Sequence, residues 1–277
     1  MYETFYGFRE KPFSLLPDPA FLYLSRIHSA ALAMLQYGLS HQTGITVITG
    51  DVGSGKTTLI RELLNEITDD LNVGLISNTH NAFGELIQWV LMTFGIPYKG
   101  MEKIEMYETF TNFIIEQYAR KKSTVLIIDE AQNMEQETLE ELRLLSNINA
   151  DKNQVLQLIL VGQPELRKKL SSPELIQFAQ RIGSEYYLKA LDLKETQNYI
   201  KHRLKVAEGD TALFNPLATA TIYYYSKGIP RLINTLCDLA LVYAYSDEIT
   251  EIGKGLIQEV ASEKLESGLL PIRAKLR

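Results

Sequence analysis

Hydrophobic positions along the chain follow two regimes. In the first, five apolar, β-branched runs recur at Ile45 to Thr49, Val73 to Ser77, Thr124 to Ile128, Val155 to Val161 and Glu185 to Leu188. The first, third and fourth are nearly unbroken, as expected of parallel strands covered on both faces. Helical patterns lie between them, at Thr57 to Leu71, Phe83 to Phe94, Thr109 to Lys122 and Glu137 to Asn147. Strands alternating with helices predict an α/β fold, a parallel sheet with crossover connections. Beyond about Lys189 the strand signal stops. Helices are expected at Leu193 to Ala207, Pro216 to Ser226, Pro230 to Tyr245 and Lys254 to Lys264. Pro230 suits a first-turn position just after Gly228. The change of period predicts two domains, residues 1–189 and an all-helical 190–277. Phe5, Phe8, Phe13, Phe21 and Tyr23, broken by Pro12, Pro17 and Pro19, read as an extended N-terminal segment lying across the first domain.

Composition narrows the chemistry. The 277 residues carry a net charge of −6 and one cysteine, which excludes a disulfide framework or a cysteine-based zinc site. His28, His41, His80 and His202 stand singly, without the spacing that places two imidazoles on one metal. No run approaches 18 apolar residues, and the N-terminus lacks a basic region followed by an apolar one. A soluble, cytoplasmic protein without signal peptide or membrane span is therefore expected. The acidic balance removes bulk attraction to DNA or anionic lipid, so either partner would need a local basic patch. Pro271 to Arg277 is locally basic but short.

The strongest chemical signal is Gly50-Asp51-Val52-Gly53-Ser54-Gly55-Lys56-Thr57-Thr58, a full match to G-x-x-x-x-G-K-[ST]. A strand run enters it and a helical pattern leaves it, which is the context that separates a phosphate loop from a Gly-rich turn with an incidental lysine. Glycines let backbone N–H groups wrap a phosphate, and the new helix offers its positive end. In that chemistry Lys56 reaches the β and γ phosphates and the Thr57 hydroxyl binds Mg²⁺. A second element, Thr124-Val-Leu-Ile-Ile-Asp129-Glu130-Ala-Gln, ends an apolar strand in two carboxylates, at the sheet edge where open α/β folds bind ligands. Asp129 is the candidate metal holder, and Glu130 is the candidate base for an attacking water. Solvated loop carboxylates or a helix cap are the alternatives, weakened by the phosphate loop upstream.

With both motifs in place the sequence resembles the AAA+ ATPases and, within them, the secretion-associated ExeA/GspA-type branch. Tyr6-Gly-Phe-Arg-Glu-Lys-Pro-Phe13, Pro17-Asp-Pro-Ala-Phe-Leu-Tyr-Leu24, Val161-Gly-Gln-Pro-Glu-Leu166 and Gly228-Ile-Pro-Arg231 carry the resemblance alongside the two motifs. It implies a P-loop NTPase fold, a five-stranded parallel sheet flanked by helices with a C-terminal helical lid, and ATP and Mg²⁺ as ligands. It further implies that Gln163 is the polar sensor after the fourth strand, where most of the family has Asn. Arg231 matches the sensing arginine of the lid. Arg181, before the fifth strand, matches the arginine finger that acts in a neighbouring subunit, with Arg167 as the fallback. Leu22, Tyr23 and His28 are candidate adenine contacts, with core packing as the alternative for the aromatic ring.

The same resemblance implies a homo-oligomer, a membrane or envelope secretion-apparatus partner, and a cytoplasmic site peripheral to the inner membrane. Related proteins continue past the lid into a membrane span and a periplasmic domain. Two rival functions stand beside it: an ATP-dependent DNA-bound regulator of the transposition type, disfavoured by the acidic charge, and a nucleotide-gated scaffold with little turnover, disfavoured by the intact Asp129-Glu130 pair. Cys237 is expected to be a buried structural thiol. Trp89 and the Tyr223-Tyr224-Tyr225 run lack an interleaved basic stripe and are read as packing. Lys121-Lys122 and Lys168-Lys169 are read as charge pairs at helix ends.

Overall fold

A computed structural model describes residues 1–16, 18–66, 70–77, 85–150 and 153–267. Pro17, His80, Phe83, Pro271 to Arg277 and part of the predicted 57–71 helix fall outside the described residues. In chain order the elements are α1 (Tyr2–Tyr6), α2 (Arg26–Ser40), β1 (Ile45–Gly50), α3 (Lys56–Asn65), β2 (Leu71–Ile76), α4 (Leu86–Thr93), α5 (Lys103–Ala119), β3 (Ser123–Ile128) and α6 (Gln136–Leu145). There follow β4 (Asn149–Ala150), β5 (Asn153–Gln154), β6 (Leu156–Gly162), α7 (Pro164–Leu170), α8 (Ile176–Ala179), β7 (Ile182–Leu188), α9 (Leu193–Val206), α10 (Pro216–Ser226), α11 (Pro230–Ser246) and α12 (Lys254–Ser267).

The chain forms two compact units, one of them Ala30–Val52 with Leu59–Leu188. Its sheet has the order β2-β3-β6-β1-β7, with every pairing parallel; β4 and β5 form a separate antiparallel pair. All six residues of β1 and all seven of β6 are buried. That follows from their unbroken apolar runs, because only strands sandwiched between helices can bury both faces. Leu126, Ile128, Leu158 and Leu160 share one core with Phe110, Ile114, Leu139 and Phe178. Each such side chain contributes about 1.5–3 kcal/mol through removal from water.

Several boundaries differ from the sequence pattern, three of them for identifiable reasons. Leu71 opens β2 rather than closing a helix, since α3 ends at Asn65. The α5 helix begins six residues before Thr109, where the Glu105 carboxylate accepts the Glu102 N–H at 2.9 Å and satisfies one of the free amides of a helix start. On the edge, β7 starts three residues early, at Ile182, with Gly183 taken up by a shift of register between Ile45 and Thr46 of β1.

The other unit comprises Met1–Ser29, Gly53–Thr58 and the chain from Lys189. The N-terminal segment is thus grouped with the helical unit rather than with the sheet, and it is not extended throughout. It contains α1 and the start of the 15-residue α2, and it groups with α9 to α12 because its aromatics belong to their core. Tyr2, Phe8, Phe13 and Phe21 are buried with Leu204, Ile233 and Leu236. Phe13 meets Phe214 edge-on at 5.8 Å, and Tyr23 meets Tyr199 at 5.9 Å. Buried Arg203 fixes the segment by donating to the carbonyls of Pro12 and Ser14 while its guanidinium lies over Phe21. The division at residue 189 thus differs from the compact units in where Met1–Ser29 and Gly53–Thr58 are grouped. Among the described residues no helix is long and apolar enough to cross a membrane.

Gly228 lets α11 begin where it does. Its φ is +75°, and a Cβ there would lie 1.9 Å from the Leu191 carbonyl oxygen, while its own oxygen accepts the Leu191 N–H at 3.0 Å. Gly228→Ala should lower stability by at least about 2 kcal/mol, read as a fall of several degrees in the melting temperature.

Candidate functional site

Parallel pairing brings the carboxyl ends of the strands to one edge. Gly50 ends β1 opposite Leu188, Gly162 ends β6 opposite Thr49, and Ile128 ends β3 opposite Leu160. Gly50-Asp51, Asp129-Glu130 and Gln163 therefore share the edge at which open α/β sheets bind ligands. Asp129 is 5% exposed, and its Oδ1 accepts the Glu130 N–H at 2.9 Å. Glu130 has φ +54°, a left-handed conformation that is uncommon for a side chain of this size. Its Oε2 accepts from Gln163 Nε2 at 3.2 Å and from Gln132 Nε2 at 2.6 Å.

Gln132 is the residue that sequence reasoning missed. Besides donating to Glu130, its Oε1 accepts the Gln163 N–H at 2.9 Å. Its backbone carbonyl accepts from the Lys169 ammonium at 2.9 Å, and Lys169 also donates to the Met134 carbonyl. Lys169 is thus a structural tie between α7 and the loop after β3 as well as a helix-end charge. A Cβ at Gly162 would sit 2.9 Å from Gln132 Oε1, so glycine at the end of β6 makes room for the amide. The only sequence signal was a polar residue two positions after the carboxylate pair.

Around this edge, Asp51 accepts from the Tyr187 hydroxyl at 3.2 Å. Burial, then the Asp51 charge, raises the Tyr187 pKa above its ordinary value. Arg181 is exposed immediately before β7, and among the described residues it makes no ion pair. The fallback Arg167 is paired with Glu185 at 2.9 Å.

The rest of the glycine loop belongs to the helical unit. Gly53 and Gly55 have φ of +77° and +99°, which is why both positions require glycine. The Gly53 carbonyl accepts the Arg231 N–H at 3.3 Å, so the predicted sensing arginine meets the loop through its backbone while its side chain is exposed. A Cβ on Gly53 would lie 2.6 Å from Arg231 Cβ. Lys56 is buried at the first position of α3, followed by Thr57 and Thr58. His28 Nε2 lies 3.0 Å from the Ser54 carbonyl oxygen, so this ring is committed to the loop backbone rather than to a base-stacking surface. Tyr23 packs on Tyr199 and His202, and Cys237 is fully buried, with burial pushing its thiol pKa up.

These residues fit a magnesium nucleotide. Gly53 and Gly55 give the loop its positive φ angles, and Ser54 Oγ is buried without a hydrogen-bond partner among the described residues. Thr57 in the helical unit and Asp129 in the sheet unit each carry a hard oxygen donor of the kind that Mg²⁺ prefers.

The AAA domain family matches residues 39–170. The chain carries an AAA domain. It is 38% identical over 264 residues to General secretion pathway protein A of Aeromonas hydrophila, an alignment covering 95% of this chain and 48% of the relative. The chain thus spans about half the length of the curated relative it matches. Among solved structures, Aeropyrum pernix ORC2, in its complexes with ADPNP and ADP, superposes with a TM-score of 0.67 at 18% identity, covering 95% of this chain and 75% of that one. Cdc6p of Pyrobaculum aerophilum gives 0.67 at 15%, covering 92% and 75%. The RuvB Holliday junction branch migration motor of Thermotoga maritima gives 0.53 at 16%, covering 85% and 68%. At these identities the likeness carries the fold, that of the AAA+ P-loop NTPases.

Two imidazoles in the helical unit give a pH dependence. Burial holds both His28 and His202 below the ordinary histidine pKa, about 6.5. The unfolded chain binds protons that the folded chain refuses, so this stability is complete above pH 6.5 and declines as the pH falls below it. Urea unfolding should show lower stability at pH 5.5 than at pH 7.5, with a smaller difference in His28→Gln.

Proposed function

We propose that this protein is a Mg²⁺-dependent ATPase whose hydrolysis depends on contact between subunits, and that it serves a secretion or envelope-export apparatus. The observation that best supports hydrolysis is the group at the sheet edge, a buried Asp129 beside a Glu130 whose carboxylate is oriented by two glutamine amides. Mg²⁺, when bound, neutralises charge on the β and γ phosphate oxygens. Thr57 and Asp129 are the residues to hold it, Asp129 through water. Gly50, Asp51, Val52, Gly53, Ser54, Gly55 and Thr58 complete the phosphate loop, with Lys56 as its cation. Glu130 orients a water and takes its proton as the oxygen attacks the γ phosphorus and the bond to the β-phosphate oxygen breaks, giving ADP and phosphate.

Gln163 shares Glu130 Oε2 with Gln132, which suits a residue that reports the carboxylate's position to β6. Arg231 opens a helix whose backbone grips Gly53, so a phosphate bound at the loop is felt by the helical unit. Arg181, exposed and unpaired among the described residues, suits a cation delivered to a neighbouring subunit, where charge develops in phosphoryl transfer. These roles make residues 1–189 a nucleotide-binding region and 190–277 a lid, in a homo-oligomer. The secretion role draws on the similarity to General secretion pathway protein A, and the inner-membrane location on the resemblance to the secretion-associated branch. A DNA-bound role draws no support from the −6 charge.

Lys56→Ala should abolish ATP binding in a calorimetric titration. Glu130→Gln should bind ATP with little change while turnover falls by about 10²-fold or more. Mixing Arg181→Ala with Glu130→Gln protein should restore activity that neither has alone, since each supplies what the other lacks at a shared site. Normal turnover in Glu130→Gln would remove that residue from its role.

A further inference from the structure

The Ser54-Gly55 peptide is held from one side by a braced imidazole. His28 Nε2 is 3.0 Å from the Ser54 carbonyl oxygen, and Nδ1 is 2.8 Å from Ser25 Oγ. The His28 backbone N–H also donates to Ser25 Oγ, at 3.3 Å. A carbonyl can only accept, so Nε2 carries the proton and Nδ1 accepts from the serine hydroxyl. Both side chains are buried, at 6% and 1% exposure, which leaves water little opportunity to replace either bond. Beside the ring, Gly55 has φ +99°, and a Cβ there would stand 2.8 Å from Nε2.

A trans peptide points its N–H opposite its C=O, and no cis peptide occurs among the described residues. With Ser54 C=O fixed on the imidazole, the Gly55 N–H is turned to the face of the peptide away from His28. The preceding peptide is treated alike. Gly53 C=O accepts the Arg231 N–H, which turns the Ser54 N–H away from the start of α11. Two successive amides are thereby oriented through their carbonyls, the arrangement from which backbone anion sites are made. If the Ser54-Gly55 peptide flipped, it would present a carbonyl oxygen where the amide had been, and an anion would be repelled.

We propose that His28, braced by Ser25, is a positioning residue for phosphate binding, holding the Ser54-Gly55 peptide in the orientation that receives a nucleotide phosphate. This rests on the nucleotide-binding reading of the loop. It also makes the N-terminal segment a working part of the nucleotide site, because Ser25 and His28 come from the end of that segment and the first turn of α2.

The test is a titration of the full 277-residue chain with a fluorescent ADP analogue and Mg²⁺, with melting temperatures recorded without nucleotide. His28→Gln keeps an N–H at the reach of Nε2, whereas His28→Phe keeps a ring and removes the donor. His28→Phe should weaken binding by about 10-fold or more, and His28→Gln should stay within roughly 3-fold of the unaltered chain. Ser25→Ala should weaken binding by about 3-fold with its melting temperature little changed, and it carries the test if His28→Phe does not fold. Unaltered affinity in His28→Phe or Ser25→Ala, or equal loss in the Gln and Phe variants, would overturn the proposal. Lys56→Ala separates the two levels. If it abolishes binding while His28→Phe binds normally, the loop is a nucleotide site and His28 has no part in it. If the unaltered chain binds no nucleotide, both readings fall.

Discussion

Complete burial of the central strands governs what the rest of the molecule can do. β1 and β6 expose neither face, and the polar side chains they contain, Thr46, Thr49 and Gln157, are buried with them. A charge within such a strand would lose its hydration without a partner, at a cost of several kcal/mol. Carboxylates are therefore absent from β1, β3 and β6 and appear just beyond their ends, as Asp51 and Asp129 do. Because the pairing is parallel throughout, these positions lie on one edge. Asp129 and Glu130 beyond β3, Gly50 at the end of β1 and Gln163 beyond β6 are neighbours for that reason.

The glycine loop poses a different problem, since the groups it would offer to a phosphate are backbone amides that no side chain can stand in for. An amide is aimed by fixing the carbonyl across its peptide bond, and here two carbonyls are fixed by Arg231 N–H and His28 Nε2. The helical unit thus supplies the supports of the loop. At the sheet edge a similar principle holds for Glu130, whose carboxylate is oriented by the Gln132 and Gln163 amides. Gln132 in turn is fixed by Lys169. In both places the group that would meet the ligand is positioned by a residue that would not.

The parts legible in the sequence were those fixed by covalent spacing or by local period. Gly50 to Thr57 declares itself because strand, loop and helix follow one another along the chain. Asp129-Glu130 does so because it closes an apolar run. The Pro216–Ser226 helix matches its predicted bounds because Asn215 caps it, Pro216 opens it and Lys227 turns left-handed after it. Contacts across long sequence separations were not legible. The aromatics before Pro17 announce burial without saying against what, and their partners, Phe214 and Tyr245 among them, lie some two hundred residues away. His28 is a lone histidine until folding brings Ser54 to it, and Gln132 is an unremarked amide until β6 lies beside β3. Arg181 stands at the limit of this kind of reading, because its proposed partner belongs to another copy of the chain.

A site for ATP hydrolysis that two subunits share ties turnover to assembly. Steady-state release of phosphate from Mg·ATP, followed over a range of protein concentrations, tests it most directly. A shared site gives turnover that requires Mg²⁺ and a specific activity that rises with protein concentration to a plateau. Phosphate release that is undetectable, independent of Mg²⁺, or constant per molecule down to concentrations at which the chain is monomeric would contradict it.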